Sequence, residues 1–369
     1  MTAGSEPWRV GVLFSQSGVT GAIEETQLKG TLLGIAEINE TGGINGREIV
    51  PIIYDPVSRT ELYAHYARKL LIEDRVTTIF GCYTSTSRKV VLPLAERMNA
   101  LLWYPTRYEG FELSPNVVYT GSSPNQNTIE LINYLTAAHG NRFYLIGTDY
   151  CYPRRTNRIM RNLVYDHGGC VVAEKYLSFS ADQNDIRPII RDLRDLKPDV
   201  IFCTIVGQAI SNFYQAYADA GFDPGKMPIA SLNTSEVELR SMGYGVGKGH
   251  ITAAAYFENV ANEDNGRFVG MYKRRFGHSE PTNMCAEAAY FQVHLFAQAV
   301  ADINTMETDL LRPAVLGREV AAPQGRVTID DKNTNAELWT RIGRADGSGG
   351  FDILRESIVA SRPDPFFVT

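Results

Sequence analysis

The feature that most constrains this 369-residue chain is a regular alternation of short apolar runs with segments of helical periodicity. Residues 8–14 form an apolar run with β-branched members, and residues 28–39 carry apolar side chains at helical spacing. Thr41, Gly42 and Gly43 then supply the glycines expected just past a helix end. Strands are expected over 48–54, 76–80 and 101–104, with helices over 61–72 and 87–99, the latter kinked at Pro93. A second series follows, with helices over 124–139, 155–167, 186–196 and 208–220 and strands over 143–147, 170–176, 200–204 and 227–230. Repeated βα units of this length build a parallel sheet covered by helices on both faces. Two such series predict an α/β protein of two doubly wound parallel-sheet lobes.

The length suits two domains rather than one core. The polar, turn-rich stretch 116–127 reads as a crossing between them, and 250–257 as a second. Helical patterns return over 265–276 and 286–303, and the tail reads as short strands over 326–329, 338–342 and 351–354. A net charge of -6, with no long run of like charges, argues against a nucleic-acid surface. Cys82, Cys151, Cys170, Cys203 and Cys285 are odd in number, far apart and without a CxxC pair, which reads as buried free thiols in a reducing compartment. No apolar run is long enough to cross a bilayer. The first strand starts so close to residue 1 that a secretory leader has no room, so a native start there implies a cytoplasmic protein.

In open parallel sheets, ligands bind beyond the carboxyl ends of the strands. That rule selects Gly81 to Ser85, Tyr104 to Tyr108, Gly147 to Tyr152, Thr204 to Gly207 and Ser231 to Thr234. The set is rich in Tyr, Thr and Ser and poor in charge. It suits a small neutral polar molecule with a carbonyl and an NH₂ group. An amino acid would call for a carboxylate facing its ammonium and charged donors facing its carboxylate. Asp149, the one acid in the set, is expected to cap the following helix or hold a loop. Any single hydroxyl after a strand is equally well a helix cap, and it is the concentration of tyrosines and hydroxyls at three successive strand ends that favours a pocket.

Catalytic patterns are missing. GCYTSTS (81–87) is not the G-x-S-x-G of a nucleophile elbow, and no phosphate-loop pattern occurs. FSQSGVTGAIEE (14–25) contains GVTG but no dinucleotide fingerprint, though a helix start there could cap a ligand group. The six histidines fall mostly in helices or at helix ends, where a solvent-facing placement is ordinary, and none has metal-binding spacing. No catalytic residue, metal or cofactor is therefore expected. Arg88 and Lys89 read as the solvated face of a helix, and Thr86 or Ser87 as its cap.

Seven segments in order, GCYTSTSRK (81–89), YPTRYEGFE (104–112), SPNQN (123–127), DYCYPR (149–154), SLNTSE (231–236), AEAAYF (286–291) and APQGRVTID (322–330), carry a resemblance that spans nearly the whole chain. They resemble the AmiC-type amide receptors, negative regulators of bacterial aliphatic amidase operons. That family has the type I periplasmic binding protein fold, close to the urea-binding components of ABC transporters and more distant from branched-chain amino-acid binders. The resemblance implies an N-terminal lobe of 1–120 plus about 256–328, a C-terminal lobe of 121–255 plus about 329–369, a three-segment hinge and a cleft that closes on ligand. It implies binding of a short aliphatic amide without chemistry, through Tyr83, Ser85, Tyr104, Thr106, Tyr150 and Tyr152, with Val206 as an apolar wall. It also implies control of an RNA-binding antiterminator protein, released when amide binds, with a homodimer as one possible state and no direct nucleic-acid contact. The alternative is a solute-binding receptor delivering urea or short-chain amides to an ABC permease. The chain departs from the amide pattern at Trp103, Thr84, Arg107 and Asn233, which leaves acetamide, propionamide, formamide and urea open as ligands, whereas the second Tyr of DYCYPR is of the amide type.

Overall fold

A computed structural model describes residues 6–367 of the chain. The stretch on which the leader expectation rests lies mostly outside the described residues.

The described chain forms two compact units. Unit 1 runs to Tyr108 and resumes over Glu112–Ser122 and Ala261–Leu338. Unit 2 comprises Glu109–Phe111, Ser123–Val260 and the chain from Trp339 onward. All three expected boundaries move, the first because Gly121 and Ser122 stay with unit 1 while Glu109–Phe111 belong to unit 2. Residues 256–260 stay with unit 2, where Glu258 N–H is held by a Glu236 carboxylate oxygen at 2.8 Å. Residues 329–338 stay with unit 1, because they carry one strand of a small antiparallel sheet whose other strands belong to that unit.

Unit 1 is built on five strands, β1 (Trp8–Leu13), β2 (Ile49–Tyr54), β3 (Thr78–Gly81), β4 (Leu101–Tyr104) and β5 (Val117–Tyr119), in the order β2-β1-β3-β4-β5. All neighbouring pairs are parallel. β1, β3 and β4 are almost wholly buried, as a parallel sheet covered on both faces requires. Pro51, which cannot donate to a ladder, sits on the edge strand β2. The helices are α1 (Gly21–Glu40), α2 (Thr60–Ile72) and α3 (Ser85–Arg97), and helices from the later return of the chain are named below.

The sequence pattern starts α1 at 28, two turns late. Its first half buries Glu24, Thr26, Gln27 and Thr31, polar residues that blur the apolar stripe on which periodicity depends. The 116–127 crossing conceals one strand, β5, whereas the next helix starts at Pro124 as expected, behind a Ser123 capping box with Gln126.

Unit 2 contains α4 (Pro124–Ala138), β6 (Arg142–Thr148), α5 (Cys151–Asp166), β7 (Cys170–Leu177), α6 (Gln183–Leu196), β8 (Val200–Thr204), α7 (Gln208–Asp219), β9 (Ile229–Ser231), α8 (Glu236–Met242) and β10 (Ile251–Ala254). Unit 1 resumes with α9 (Glu263–Phe276), α10 (Met284–Ile303), α11 (Thr308–Val315) and the small sheet β11 (Glu319–Ala322), β12 (Gly325–Ile329) and β13 (Ala336–Glu337). The chain ends in β14 (Arg341–Ala345) and β15 (Phe351–Glu356). α8 and α11, of seven and eight residues, are too short for a periodic signal and were not expected.

The unit 2 sheet has the order β15-β14-β10-β9-β8-β6-β7. Its first-formed strands are parallel, but β14 and β15 join antiparallel, so the second lobe is a mixed sheet and not a purely parallel one. Such an added antiparallel edge is common on doubly wound sheets.

In unit 1, α1 lies against α10 with no room for side chains at the crossing. A Cβ on Gly30 would stand 2.2 Å from the Ala286 carbonyl oxygen, and one on Gly34 3.1 Å from that of Tyr290. The small-residue run AEAAYF lies on the opposing helix.

Candidate functional site

Strand order identifies where each sheet can open to a ligand. In unit 1 the connections diverge on either side of β1 and β3, and in unit 2 on either side of β6 and β8. The crevice beyond the carboxyl ends at such a switch point is the usual binding position in open α/β sheets. Tyr83 and Ser85 follow β3; Tyr150, Tyr152 and Val206 follow β6 and β8.

In unit 1, Gly81 leads into Cys82, whose φ of 71° lies in the left-handed region that non-glycine residues seldom occupy. The turn is held by Cys82 N–H donating to the Leu13 carbonyl at 3.0 Å. It places Tyr83 in a buried loop and Ser85 at the first position of α3. The cap is Thr84, whose hydroxyl accepts from Ser87 N–H at 3.1 Å, and not Thr86 or Ser87 as expected. Tyr104, at the end of β4, donates its hydroxyl to the Tyr83 carbonyl at 2.6 Å. Its proton is committed there, so towards any other group its oxygen acts as an acceptor. Thr106 receives a hydrogen bond from Gln27 Nε2 at 2.8 Å. Gly121 lets the Thr106 backbone approach, since a Cβ there would stand 2.0 Å from the Thr106 carbonyl carbon.

Behind these residues lies a buried ion pair. Arg88 is fully buried, and its Nε donates to Glu112 Oε1 at 2.6 Å. Its guanidinium sits 4.7 Å from the Tyr104 ring centre and 5.2 Å from that of Tyr108. Tyr119 adds a hydroxyl bond to the same carboxylate oxygen at 3.0 Å, and Lys89 bonds the other at 2.8 Å. Arg88 is thus not the solvated residue its helical position suggested. Helical spacing gave no sign that this face of α3 meets a carboxylate 24 residues away. Burial disfavours ionisation of Glu112, but the Arg88 charge and hydrogen bond, with those of Lys89, outweigh it and hold the carboxyl at about 2.

The loop after β1 is fastened separately. Glu24, buried in α1, folds back to accept from Ser15 N–H at 2.8 Å and Thr20 Oγ1 at 2.6 Å, and it also bonds the Tyr63 hydroxyl. Burial pushes its carboxyl up to about 7 against the pull of these donors. GVTG therefore belongs to a loop held by an internal carboxyl.

In unit 2, α5 begins at Cys151, earlier than expected, so Tyr150 is the N-cap residue and Tyr152 lies in the first turn. The ring centres of Tyr150 and Tyr152 are 6.3 Å apart. Tyr152 donates its hydroxyl to Asn233 Oδ1 at 3.0 Å, and Asn233 Nδ2 donates to the Ile205 carbonyl at 3.3 Å. Val206 N–H donates to Thr148 Oγ1 at 3.0 Å. One hydrogen-bonded set thus joins the ends of β6, β8 and β9. Asp149 is exposed and pairs with Arg154 at 2.6 Å, so it braces the first turn of α5 without capping it.

Two side chains missed from sequence bear on the site. Gln27 supports Thr106, and its only signal was a polar residue on the buried face of α1. Glu236 opens α8 fully buried, with one oxygen on Glu258 N–H and the other without a partner. Burial pushes its carboxyl up to about 8.

The cysteines and histidines divide differently from expectation. Cys82, Cys203 and Cys285 are buried, but Cys151 is half-buried and Cys170 exposed. Burial raises the Cys82 thiol far above its ordinary range and that of Cys203 to about 12, so neither supplies a thiolate. Cys151 Sγ lies 3.4 Å from Glu109 Oε1. His250 is buried: its Nδ1 takes a hydrogen bond from Ile229 N–H at 2.9 Å, and burial drops it to about 3. Among the described residues, no group of His, Cys, Asp and Glu side chains could hold a metal ion, and no helix is long and apolar enough to cross a membrane.

Two doubly wound units, each with a Tyr- and hydroxyl-rich set at its switch point, define a binding-protein architecture. The family model described as "Periplasmic binding protein domain" matches residues 8–369, and the chain belongs to that family, with the type I periplasmic binding protein fold. The chain is 22% identical over 359 residues to Leu/Ile/Val-binding protein homolog 4 of Brucella melitensis, covering 91% of this chain and 83% of that protein. The solute-binding protein of an ABC transporter from Rhodopseudomonas palustris HaA2, in complex with p-hydroxybenzoic acid, superposes with a TM-score of 0.88 at 20% identity, covering 98% of this chain and 99% of that one. A shorter match, 24% identical over 116 residues, joins 31% of this chain to 21% of limonene hydroxylase of Geobacillus stearothermophilus.

Proposed function

We propose that this chain is the solute-binding receptor of an ABC-type transporter and that its solute is a small neutral amide or urea, bound without chemical change. The observation that carries this reading is the neutral polar character of the strand-end side chains, with Arg88 and Asp149 there already paired. Arg88 is spent on Glu112 and Asp149 on Arg154, whereas Tyr104, Tyr152, Thr106 and Asn233 present neutral donors and acceptors. A neutral guest with a carbonyl and an NH₂ group meets such a set without stranding a charge. Tyr83, Ser85, Tyr104 and Thr106 in unit 1, and Tyr150, Tyr152 and Val206 in unit 2, are the candidate ligand-binding residues of each unit. The receptor role, and a periplasmic location, accord with the relatives that carry the same fold.

The seven ordered motifs favour a second reading, an amide sensor that silences an RNA-binding antiterminator until amide releases it. The two readings share a ligand and differ in partner. Neighbouring permease genes support the receptor, and a neighbouring amidase gene supports the sensor. Titration calorimetry with acetamide, propionamide, urea and leucine tests the shared claim: heat is expected from an amide or urea and none from leucine. Release of ammonia from acetamide by the pure protein would overturn binding without chemistry.

A further inference from the structure

Unit 1 contains a concave site at the opposite end of its sheet from Tyr83 and Tyr104. It is a cavity of about 370 Å³ where the loop before β5, helix α11 and the turn after β12 converge. Leu113, Pro115, Pro313 and Leu316 supply apolar walls, and Arg312 and Lys332 supply cations. Its position follows from two contacts: Ser114 precedes β5, and Asp309 accepts from Asn99 Nδ2, just before β4, at 3.2 Å.

The walls are fastened in place without a guest. Ser114 Oγ donates to Glu96 Oε1 at 2.7 Å. Asp330 Oδ1 gathers Lys332 N–H at 2.8 Å and Asn333 N–H at 3.2 Å, which fixes the turn. Tyr119 N–H donates to the Thr334 carbonyl at 2.8 Å. A volume within the range of ligand pockets, bounded by three immobilised segments, is a prebuilt site.

Two observations then specify its occupant. Thr334 lines the cavity at 6% exposure, yet its hydroxyl has no partner, which is costly unless something else supplies one. Arg312 and Lys332 against Asp309 leave the lining with one net positive charge (two cations less one anion). Asp309 is in part neutralised by Arg312 at 3.7 Å and accepts a hydrogen bond from Asn99, whereas Lys332 enters no ion pair among the described residues. Leu113 and Leu316, 45% and 36% exposed, leave apolar surface uncovered at the cavity.

We infer that this cavity is a second ligand site that takes an amphipathic monocarboxylate, its carboxylate held by Lys332, Arg312 and the Thr334 hydroxyl and its apolar body against the leucine and proline walls. A single carboxylate matches the net charge, and a polyanion would bury excess charge beside Asp309. The proposal is independent of the amide reading, because no residue is shared.

The test is calorimetry on the full chain with octanoate, octanamide and inorganic phosphate as probes. Octanoate is expected to bind saturably, octanamide about tenfold more weakly, and phosphate not at all, one lost charge-assisted bond being worth about that factor. R312A/K332A should abolish octanoate binding and T334V should weaken it about threefold, with melting temperatures preserved. S85A should leave it unchanged. No octanoate binding, equal binding by R312A/K332A, equal affinity for octanamide, or loss of octanoate binding in S85A would each overturn the proposal.

Discussion

The two units place their strand-end residues at the same topological address but support them differently. In unit 1 the loop after β3 and the end of β4 rest on a buried cation: Arg88 lies over the rings of Tyr104 and Tyr108 and is neutralised by Glu112. In unit 2 the ends of β6, β8 and β9 are joined through a neutral amide, Asn233, and the ion pair of Asp149 with Arg154 after β6 is exposed. One fold thus solves one positioning problem by a desolvated charge pair and again by uncharged hydrogen bonds. The first solution depends on pH and tolerates no truncation. The second depends on amide geometry and little on ionic conditions.

The largest expected effect comes from breaking the buried pair. Arg88→Met leaves the Glu112 carboxylate largely desolvated with only Lys89 as a charged partner, and should cost about 3 kcal/mol in urea denaturation. The sign with pH follows from Glu112. Its folded value of about 2 lies below the ordinary 4.5, so the stability it contributes is present above 4.5 and is lost as pH falls towards 2. Arg88→Met should flatten that acid limb.

Next come the residues proposed to meet the ligand. Ser85→Ala and Tyr104→Phe should each weaken amide binding by about 1–3 kcal/mol, the cost of stranding a buried polar partner. Tyr152→Phe should cost about 1 kcal/mol in stability as well, because Asn233 Oδ1 loses its donor. Unchanged affinity in both Ser85→Ala and Tyr104→Phe removes those residues from the site.

Glu236 provides a pH signature of the opposite sign. Its folded value of about 8 lies above the ordinary 4.5, so the folded state holds a proton that the unfolded chain releases in that window. Stability should therefore fall as pH rises from about 4.5 to 8, with Glu24 adding a slope of the same sign up to about 7, and Glu236→Gln should remove Glu236's share, up to about one proton. The smallest effect is expected at Arg154: Arg154→Ala should leave the melting temperature unchanged, as for other exposed pairs.

Most strands were legible because a buried parallel strand is a short apolar run, and β1, β3, β4, β6 and β8 are of that kind. The strand-end rule, applied to the sequence alone, selected segments that include Tyr83, Ser85, Tyr104, Thr106, Tyr150, Tyr152 and Val206, which stand at or after the ends of β3, β4, β6 and β8. What was illegible depended on partners distant in sequence. Arg88 looked solvated because its carboxylate comes from a later loop, and His250 because a buried imidazole bonded to Ile229 N–H leaves no mark in its own segment. The start of α1 was hidden because buried Glu24 and Gln27 serve the loops after β1 and β4. Local periodicity reports burial of apolar groups and is silent on buried polar groups that find partners elsewhere.

The most direct test of the central claim is titration calorimetry of the purified chain against acetamide, urea, leucine and p-hydroxybenzoate in parallel. The account predicts saturable heat from acetamide or urea, reduced by Ser85→Ala, and none from the charged ligands. Saturable binding of leucine or p-hydroxybenzoate, with no heat from any amide or urea, would contradict it.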